Sequence, residues 1–126
     1  MAQKILIVDD ESHIRMLINQ TLEELEDEGV EFFSADNGEA ALDLIQDEKP
    51  DLVFLDVMMP KMNGMEVCRR VKKELQFNDV FIVLLTAKGQ EMDRQRGQEV
   101  GADVYMTKPF DPEAILNKAK QVLRIN

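Results

Sequence analysis

Apolar residues gather in five short runs along the chain. The runs cover residues 4–8, 31–35, 52–55, 80–85 and 104–106. Most of them are continuous rather than alternating with polar residues, and they are rich in valine, isoleucine, leucine and phenylalanine. Runs this short and continuous are typical of strands whose two faces are both covered in a parallel sheet. The pattern therefore predicts five buried strands, of which the second is the least apolar.

Helical spacing follows four of the five runs, the first, second, third and fifth, because apolar residues then recur three and four positions apart. Turn and capping residues mark the helix boundaries: Gly29 after the first helix, Asn37-Gly38 before the second, Asn63 before the third, and Asp111 with Pro112 before the last. The fourth helix, over residues 88–100, is mainly polar. It carries Gly97 in its interior, which costs about 1 kcal/mol relative to alanine. We expect that helix to be weakly held.

Five repeats of strand and helix with short connections define the fold class. Such repeats require right-handed crossovers, so the strands form a doubly wound parallel α/β sheet with helices on both faces. A length of 126 residues suits one core, and we interpret residues 1–126 as a single domain. The carboxyl ends of parallel strands share one edge of the sheet. Every strand except the second brings polar residues to this edge: Asp9, Asp10, Asp56, Thr86 and Lys108.

Composition narrows the classes of partner. Asp and Glu number 25 against 15 Lys and Arg, and the resulting net charge of -10 argues against direct contact with nucleic acid or an anionic membrane. The apolar runs are far shorter than a membrane span, and residues 1–4 lead directly into a strand rather than a signal peptide. The single cysteine, Cys68, fits a reducing cytoplasm. We therefore expect a soluble cytoplasmic protein.

The acids at the sheet edge repel one another. At about 4 Å, each pair of like charges costs roughly 1 kcal/mol in water and roughly 4 kcal/mol at an effective dielectric near 20. Lys108 alone cannot offset three carboxylates, whereas a divalent ion with oxygen ligands can, and Mg2+ or Mn2+ suits such ligands best. A metal and a lysine together would bind a phosphoryl group, and a carboxylate could then attack phosphorus to form an acyl phosphate.

Each of these residues also has an ordinary explanation. Adjacent acids after a strand often cap the next helix, and an aspartate at a strand end can stabilise a turn. A threonine at a strand end is usually a satisfied hydroxyl, and a lysine before proline usually lies in a solvated turn. Only their joint placement at one edge of the sheet favours a functional site.

Four motifs distinguish the chain. They are Ile-Leu-Ile-Val-Asp-Asp-Glu at 5–11, Phe-Leu-Asp-Val-Met-Met-Pro at 54–60, Leu-Thr-Ala at 85–87 and Gly-Ala-Asp-Val-Tyr-Met-Thr-Lys-Pro-Phe at 101–110. Together they resemble the receiver domain of bacterial two-component response regulators, the CheY-like family, over the whole chain. The resemblance implies a flavodoxin-like (βα)5 fold with strand order 2-1-3-4-5, in which strands 1 and 3 lie side by side at the centre.

The resemblance implies a phosphoryl-accepting signalling switch, not an enzyme with a separate substrate, that catalyses its own phosphorylation and dephosphorylation. Asp56 would take a phosphoryl group from the phosphohistidine of a sensor histidine kinase or phosphotransfer protein. Asp10 and Asp56 would bind Mg2+ directly. Asp9 would act mainly through water, and the backbone carbonyl of Met58 would supply another oxygen.

Further residues would read and transmit the phosphorylated state. Lys108, whose bond to Pro109 is expected to be cis, would pair with the phosphoryl group, and Thr86 would turn its hydroxyl toward it. Tyr105, which alone suits a plain edge-strand residue equally well, would change rotamer when Thr86 moves. The signal would leave through the face formed by the fourth helix, fifth strand and fifth helix, toward a downstream target protein.

Two positions that vary within this family flank the path of the water that hydrolyses the acyl phosphate. Met58 is apolar and cannot orient that water, so we expect slow self-dephosphorylation. The direction of the effect of Lys88 is left open.

Three other functions fit parts of the pattern. A Mg2+-dependent hydrolase with an aspartyl-phosphate intermediate usually carries Asp-x-Asp after its first strand, whereas here Asp9 and Asp10 are adjacent. A flavin carrier on the same fold would need a Ser/Thr/Gly-rich phosphate loop, which the first repeat lacks. A receiver-like module that works by binding alone is disfavoured by the intact motifs. The sequence does not identify the kinase, target, pathway or oligomeric state, nor whether the domain stands alone or belongs to a longer chain.

Overall fold

The computed structural model describes residues 2–87 and 91–125. Its single sheet has five parallel strands: β1 (Lys4–Val8), β2 (Glu31–Ala35), β3 (Leu52–Asp56), β4 (Phe81–Ala87) and β5 (Val104–Lys108). They lie in the order β2-β1-β3-β4-β5, and each neighbouring pair is parallel. The predicted doubly wound α/β fold and its strand order are therefore confirmed.

In the described part of the chain, five α-helices connect or follow the strands: α1 (Ser12–Thr21), α2 (Gly38–Glu48), α3 (Gly64–Arg69), α4 (Glu91–Glu99) and α5 (Pro112–Leu123). Three of the predicted caps are confirmed. The side chains of Asn37, Asn63 and Asp111 each accept a hydrogen bond from a backbone amide in the first turn of the helix that follows. Each cap satisfies an amide that has no partner within its own helix.

The prediction for the end of the first helix is wrong. Helix α1 ends at Thr21, and Glu23–Glu28 forms a separate 3-10 segment that closes at Gly29, whose φ is 83°. The physical reason is the charge of this segment, since five of its six residues are acidic. Negative charge is unfavourable at the carboxyl end of a helix, and like charges one turn apart repel.

Smaller differences concern the other elements. Strand β4 continues past Leu85 to Ala87, β5 continues to Lys108, and α3 passes into a π-helical segment over Arg70–Glu74. The expected beginning of the fourth helix at Lys88, and any effect of Lys88, lie outside the described residues.

Apolar side chains pack on both faces of the sheet. On one face, alternate residues of β1, β3 and β4 meet α2 and α3, and on the other they meet α1 and α5. Every residue of β3 is buried. A strand buried on both faces cannot slip by one residue without turning each side chain to the opposite face. Packing on both faces therefore fixes which residues reach the carboxyl edge.

Within the described residues, no helix has the length and apolar character needed to cross a bilayer.

Candidate functional site

The carboxyl edge of the sheet brings two acids and a lysine into contact. Val8 pairs with Leu55 in the register of β1 and β3, so the chain leaves these neighbouring strands next to Asp9 and Asp56. Lys108, the last residue of β5, places its Nζ 2.6 Å from Asp9 Oδ2 and 3.4 Å from Asp56 Oδ1. One ammonium thus bridges the two carboxylates.

Asp9 is fully buried, and the surrounding chain fixes it from several sides. Its Oδ1 accepts a hydrogen bond from the amide of Glu11 at 2.9 Å, while its Oδ2 binds Lys108. Its own amide donates to the carbonyl of Ala35, and its carbonyl accepts from the guanidinium of Arg15 at 2.6 Å. Sequence reasoning missed Arg15, although its position one turn into the helix after the acids would have suggested it.

Three acids at the end of β1 form a group of oxygen donors. Among the described residues, Asp9, Asp10 and Glu11 bring one carboxylate oxygen each within 4.8 Å of one another. Asp10 and Glu11 are exposed, so this side of the edge is open to solvent. Glu11 was not among the expected ligands, although it continues the acidic run, and Asp56 lies outside this group. Hard oxygen donors with room for water are the chemistry that Mg2+ prefers, so the donor set fits that ion.

The carboxyl group of Asp56 has a raised pKa. Burial and, after it, the charge of Asp9 raise the pKa of this group, while Lys108 and the amide of Met58 lower it; the net pKa is about 6 instead of 3.8. Burial alone would lower the pKa of Lys108, but the hydrogen bond to Asp9 and the charge of Asp56 raise it above its ordinary value. At neutral pH Asp56 is therefore ionised, Lys108 is positively charged, and the ionised form of Asp56 is destabilised.

The loop after Asp56 brings a backbone amide to the same carboxylate. The N–H of Met58 points to Asp56 Oδ1 at an N···O distance of 3.4 Å, which is long for a hydrogen bond. Met58 is 61% exposed, so the residue two positions after Asp56 presents an apolar side chain to solvent. The amide of Val57 donates to the carbonyl of Leu85 and ties the start of the loop to β4.

Thr86 lies on β4, the neighbour of the strand that carries Asp56, and Tyr105 lies on β5, one strand further out. Thr86 is buried at the end of β4 and pairs in register with Thr107, the residue before Lys108. Tyr105 is half-buried and packs against one of the two core clusters. The bond between Lys108 and Pro109 is cis, as expected. The expected site residues therefore lie at or near one edge, with Tyr105 three residues before Lys108 on β5.

Comparison with known proteins identifies the family. The sequence profile of the response regulator receiver domain matches residues 5–120. The chain is 46% identical over 125 residues to the alkaline phosphatase synthesis transcriptional regulatory protein PhoP of Bacillus subtilis, covering 98% of the chain and 50% of that protein. It is also 46% identical over 122 residues to the probable transcriptional regulator ycf27 of Porphyra purpurea, covering 97% and 48%. The chain thus spans about half the length of these curated relatives.

Solved structures agree with this result. The chemotaxis protein CheY4 of Vibrio cholerae is 34% identical, with a TM-score of 0.82 over 97% of this chain and 99% of that one. The response regulator DrrB of Thermotoga maritima is 34% identical, with a TM-score of 0.81 over 98% of this chain and 54% of that one. Sequence and structure lead to the same conclusion: the chain belongs to the response regulator receiver domain family.

Proposed function

We propose that this receiver domain accepts a phosphoryl group on Asp56. The observation that carries the proposal is the shared ammonium of Lys108, which joins Asp9 and Asp56 at the end of two neighbouring central strands. Among the described residues, the carboxylate of Asp56 has two contacts, both long and both to Oδ1: the amide of Met58 at 3.4 Å and Nζ of Lys108 at 3.4 Å. Asp9 is held more tightly, at 2.6 Å from Lys108 and 2.9 Å from the amide of Glu11. Asp56 is therefore the acid better suited to react.

The transfer itself is a displacement at phosphorus. An oxygen of the Asp56 carboxylate forms the new bond to phosphorus, while the bond from phosphorus to the imidazole nitrogen of the donor breaks. The electron pair of that bond leaves with the imidazole, and Asp56 becomes an acyl phosphate. The donor is the phosphohistidine of a sensor histidine kinase or phosphotransfer protein. We assign catalysis of phosphorylation and of later dephosphorylation to this domain.

Lys108 stabilises the charge that arrives with the phosphoryl group. Its side chain is only 18% exposed, so its charge acts at low effective dielectric. Its longer contact, to Asp56, is the one that would yield to a phosphoryl oxygen, while its contact to Asp9 keeps the ammonium at the site. Thr86, buried at the end of β4, would direct its hydroxyl to the same group.

Mg2+ is the proposed cofactor, and Mn2+ has similar ligand preferences. Asp10 and Asp56 would bind the ion directly, the carbonyl of Met58 would add an oxygen, and Asp9 would act through water. The oxygen group at the end of β1 supports this assignment. When bound, the ion supplies positive charge that offsets the carboxylates and the phosphoryl oxygens.

The output surface in this proposal is the face formed by α4, β5 and α5, which binds a downstream target protein when Tyr105 and α4 respond to the phosphoryl group. We place the protein in the cytoplasm, where histidine kinases expose their phosphohistidine. The net charge of -10 disfavours DNA contact by this domain. A role in transcription, as named for PhoP and ycf27, would therefore act through another part of the protein or through a partner.

A phosphoryl donor of low molecular weight tests the proposal. Wild-type protein incubated with Mg2+ and acetyl phosphate should gain the mass of one phosphoryl group, and Asp56→Asn should gain none. Asp43→Asn, which changes an exposed aspartate of α2, is the matched control and should react like the wild type. An unmodified wild type, or equal modification of Asp56→Asn, would refute the assignment. Unmodified wild-type protein would favour the module that works by binding alone.

A further inference from the structure

The second repeat contributes no polar side chain to the site, yet it touches the loop that follows Asp56. Gly38, the first residue of α2, is buried against Met62. A Cβ at position 38 would overlap the carbonyl oxygen of Met62 and would lie 2.6 Å from its carbonyl carbon and 2.7 Å from its Cβ. Real Cβ atoms essentially never approach other atoms closer than 3.0 Å. Two of these three atoms are backbone, so no side-chain rotation would relieve the overlap.

Helix α2 cannot easily move away from this contact. Its first turn is fixed by the side chain of Asn37, which accepts from the amide of Ala40 at 2.9 Å. Ala41 and Ile45, which follow within two turns, are fully buried in the core beneath the sheet. A side chain at position 38 would therefore displace the backbone of Met62 rather than the helix.

The loop over residues 57–63 is held by hydrogen bonds at both ends, which limits how far it can adjust to such a displacement. Its first amide, of Val57, donates to Leu85 on β4, and the carbonyl of Val57 accepts from Gly64 at 2.8 Å where α3 begins. Within the loop, the amide of Met62 donates to the carbonyl of Pro60 at 2.8 Å. Because both ends are fixed and the middle is folded on itself, a shift at Met62 reaches the rest of the loop.

Met58 is the part of this loop that meets the site. Its amide makes the long contact to Asp56 Oδ1, and its carbonyl is a metal ligand in the proposed function. We propose that Gly38 is a positioning residue: the missing side chain lets the 57–63 loop lie where the backbone of Met58 contacts Asp56. The second repeat then shapes the site through close packing, although it supplies no polar group. The metal part of this inference rests on the proposed function, but the contact between Met58 and Asp56 does not.

The experiment compares Gly38→Ala with Gly29→Ala. A Cβ at position 29 meets nothing within 4 Å, but its φ of 83° disfavours alanine, so this control loses stability without touching the loop. Three quantities are measured on unphosphorylated protein: the amide chemical shift of Met58 without metal, the Mg2+ dissociation constant by calorimetry, and the melting temperature. Gly38→Ala should shift the amide of Met58 and weaken Mg2+ binding by about 10-fold, the size typical of lost ligand support. Gly29→Ala should lower only the melting temperature.

A second variant keeps the inference testable if Gly38→Ala does not fold. Met62→Gly keeps α2 intact, removes the Cβ of Met62 that lies against Gly38 and loosens the loop backbone, while the two backbone contacts remain. It should therefore shift the amide of Met58 and weaken Mg2+ binding, both less than Gly38→Ala does. Either folded variant with the wild-type amide shift and wild-type Mg2+ affinity would overturn the inference. A wild type that neither binds Mg2+ nor accepts a phosphoryl group would instead refute the proposed function, since the metal-free amide shift still reports on Gly38.

Discussion

Removing the charge of Asp56 should stabilise the metal-free protein. Asp56 is only 5% exposed, and burial together with Asp9 raises its pKa from 3.8 to about 6. The folded state therefore holds the proton of Asp56 more tightly than the unfolded state does. Asp56→Asn keeps the shape of the side chain and approximates its protonated form, so the variant avoids the cost of ionisation at neutral pH.

The magnitude follows from the pKa difference. One pKa unit corresponds to about 1.36 kcal/mol, so a rise from 3.8 to about 6 gives a gain of about 3 kcal/mol for Asp56→Asn at neutral pH. The size of this gain depends on pH, while its sign does not change. The favourable contribution of protonated Asp56 is fully present below pH 3.8, is lost between pH 3.8 and about 6, and is absent above. The advantage of the variant should therefore be near zero in acid and largest at neutral pH.

Urea unfolding in the presence of a chelator measures this difference. The chain contains no tryptophan, so far-UV circular dichroism is the suitable signal. Asp43→Asn serves as control because it removes the same charge from an exposed position of α2 and so reports the general relief of the net charge. A gain for Asp56→Asn no larger than that of Asp43→Asn, or a gain independent of pH, would refute the electrostatic reasoning. In the proposed function Mg2+ binds the wild type through Asp56, so adding Mg2+ should reduce the advantage of the variant.

Three further predictions concern other parts of the molecule. Phosphorylated wild-type protein should lose its phosphoryl group slowly, because Met58 is exposed but apolar and cannot orient the attacking water. The amide of Met58→Asn can orient water and should speed the loss several-fold. Loss within seconds from the wild type would contradict this prediction. Lys72→Met should lower the free energy of unfolding by about 2 kcal/mol in a denaturation assay, since Lys72, 7% exposed, binds Asp103 at 2.9 Å and the carbonyl of Val80 at 2.6 Å. Cys68 is buried with its pKa raised to about 12 by burial, so maleimide should label it near pH 8 only as fast as the protein opens.

The sequence predicts the edge of the sheet well because burial of the strands leaves little freedom. Strand β3 is buried along its whole length, so a charged residue can stand only where its apolar run stops, and the carboxyl end of the run is the one that lies at the shared edge of the sheet. Asp56 occupies that end, and the parallel arrangement brings Asp9 and Lys108 to the same edge. The identity of the edge residues is thus encoded locally, in where each apolar run stops.

Contacts between distant residues could not be predicted in the same way. The pattern places Lys108 near both acids, but only the structure shows that it binds Asp9 at 2.6 Å and Asp56 at 3.4 Å. Likewise, the sequence predicts that a helix starts at Gly38. Nothing near Gly38 in the sequence indicates that Met62 packs against it. Such contacts depend on side-chain reach and on how two loops meet, which periodicity does not encode.

Gly97 shows how a feature that weakens a helix can serve packing. The sequence predicts that it destabilises α4, yet in the structure Gly97 is buried, and a Cβ there would lie 3.0 Å from the ring of Tyr105 and 3.1 Å from a methyl group of Leu84. Glycine therefore lets α4 rest closely on β4 and β5, where Leu84 pairs with Tyr105. These two strands also carry Thr86 and Lys108 at the site. A shift of either strand at the site would therefore change its packing against the ring of Tyr105 and against α4. This shared packing is consistent with the proposal that the face of α4, β5 and α5 responds to phosphorylation.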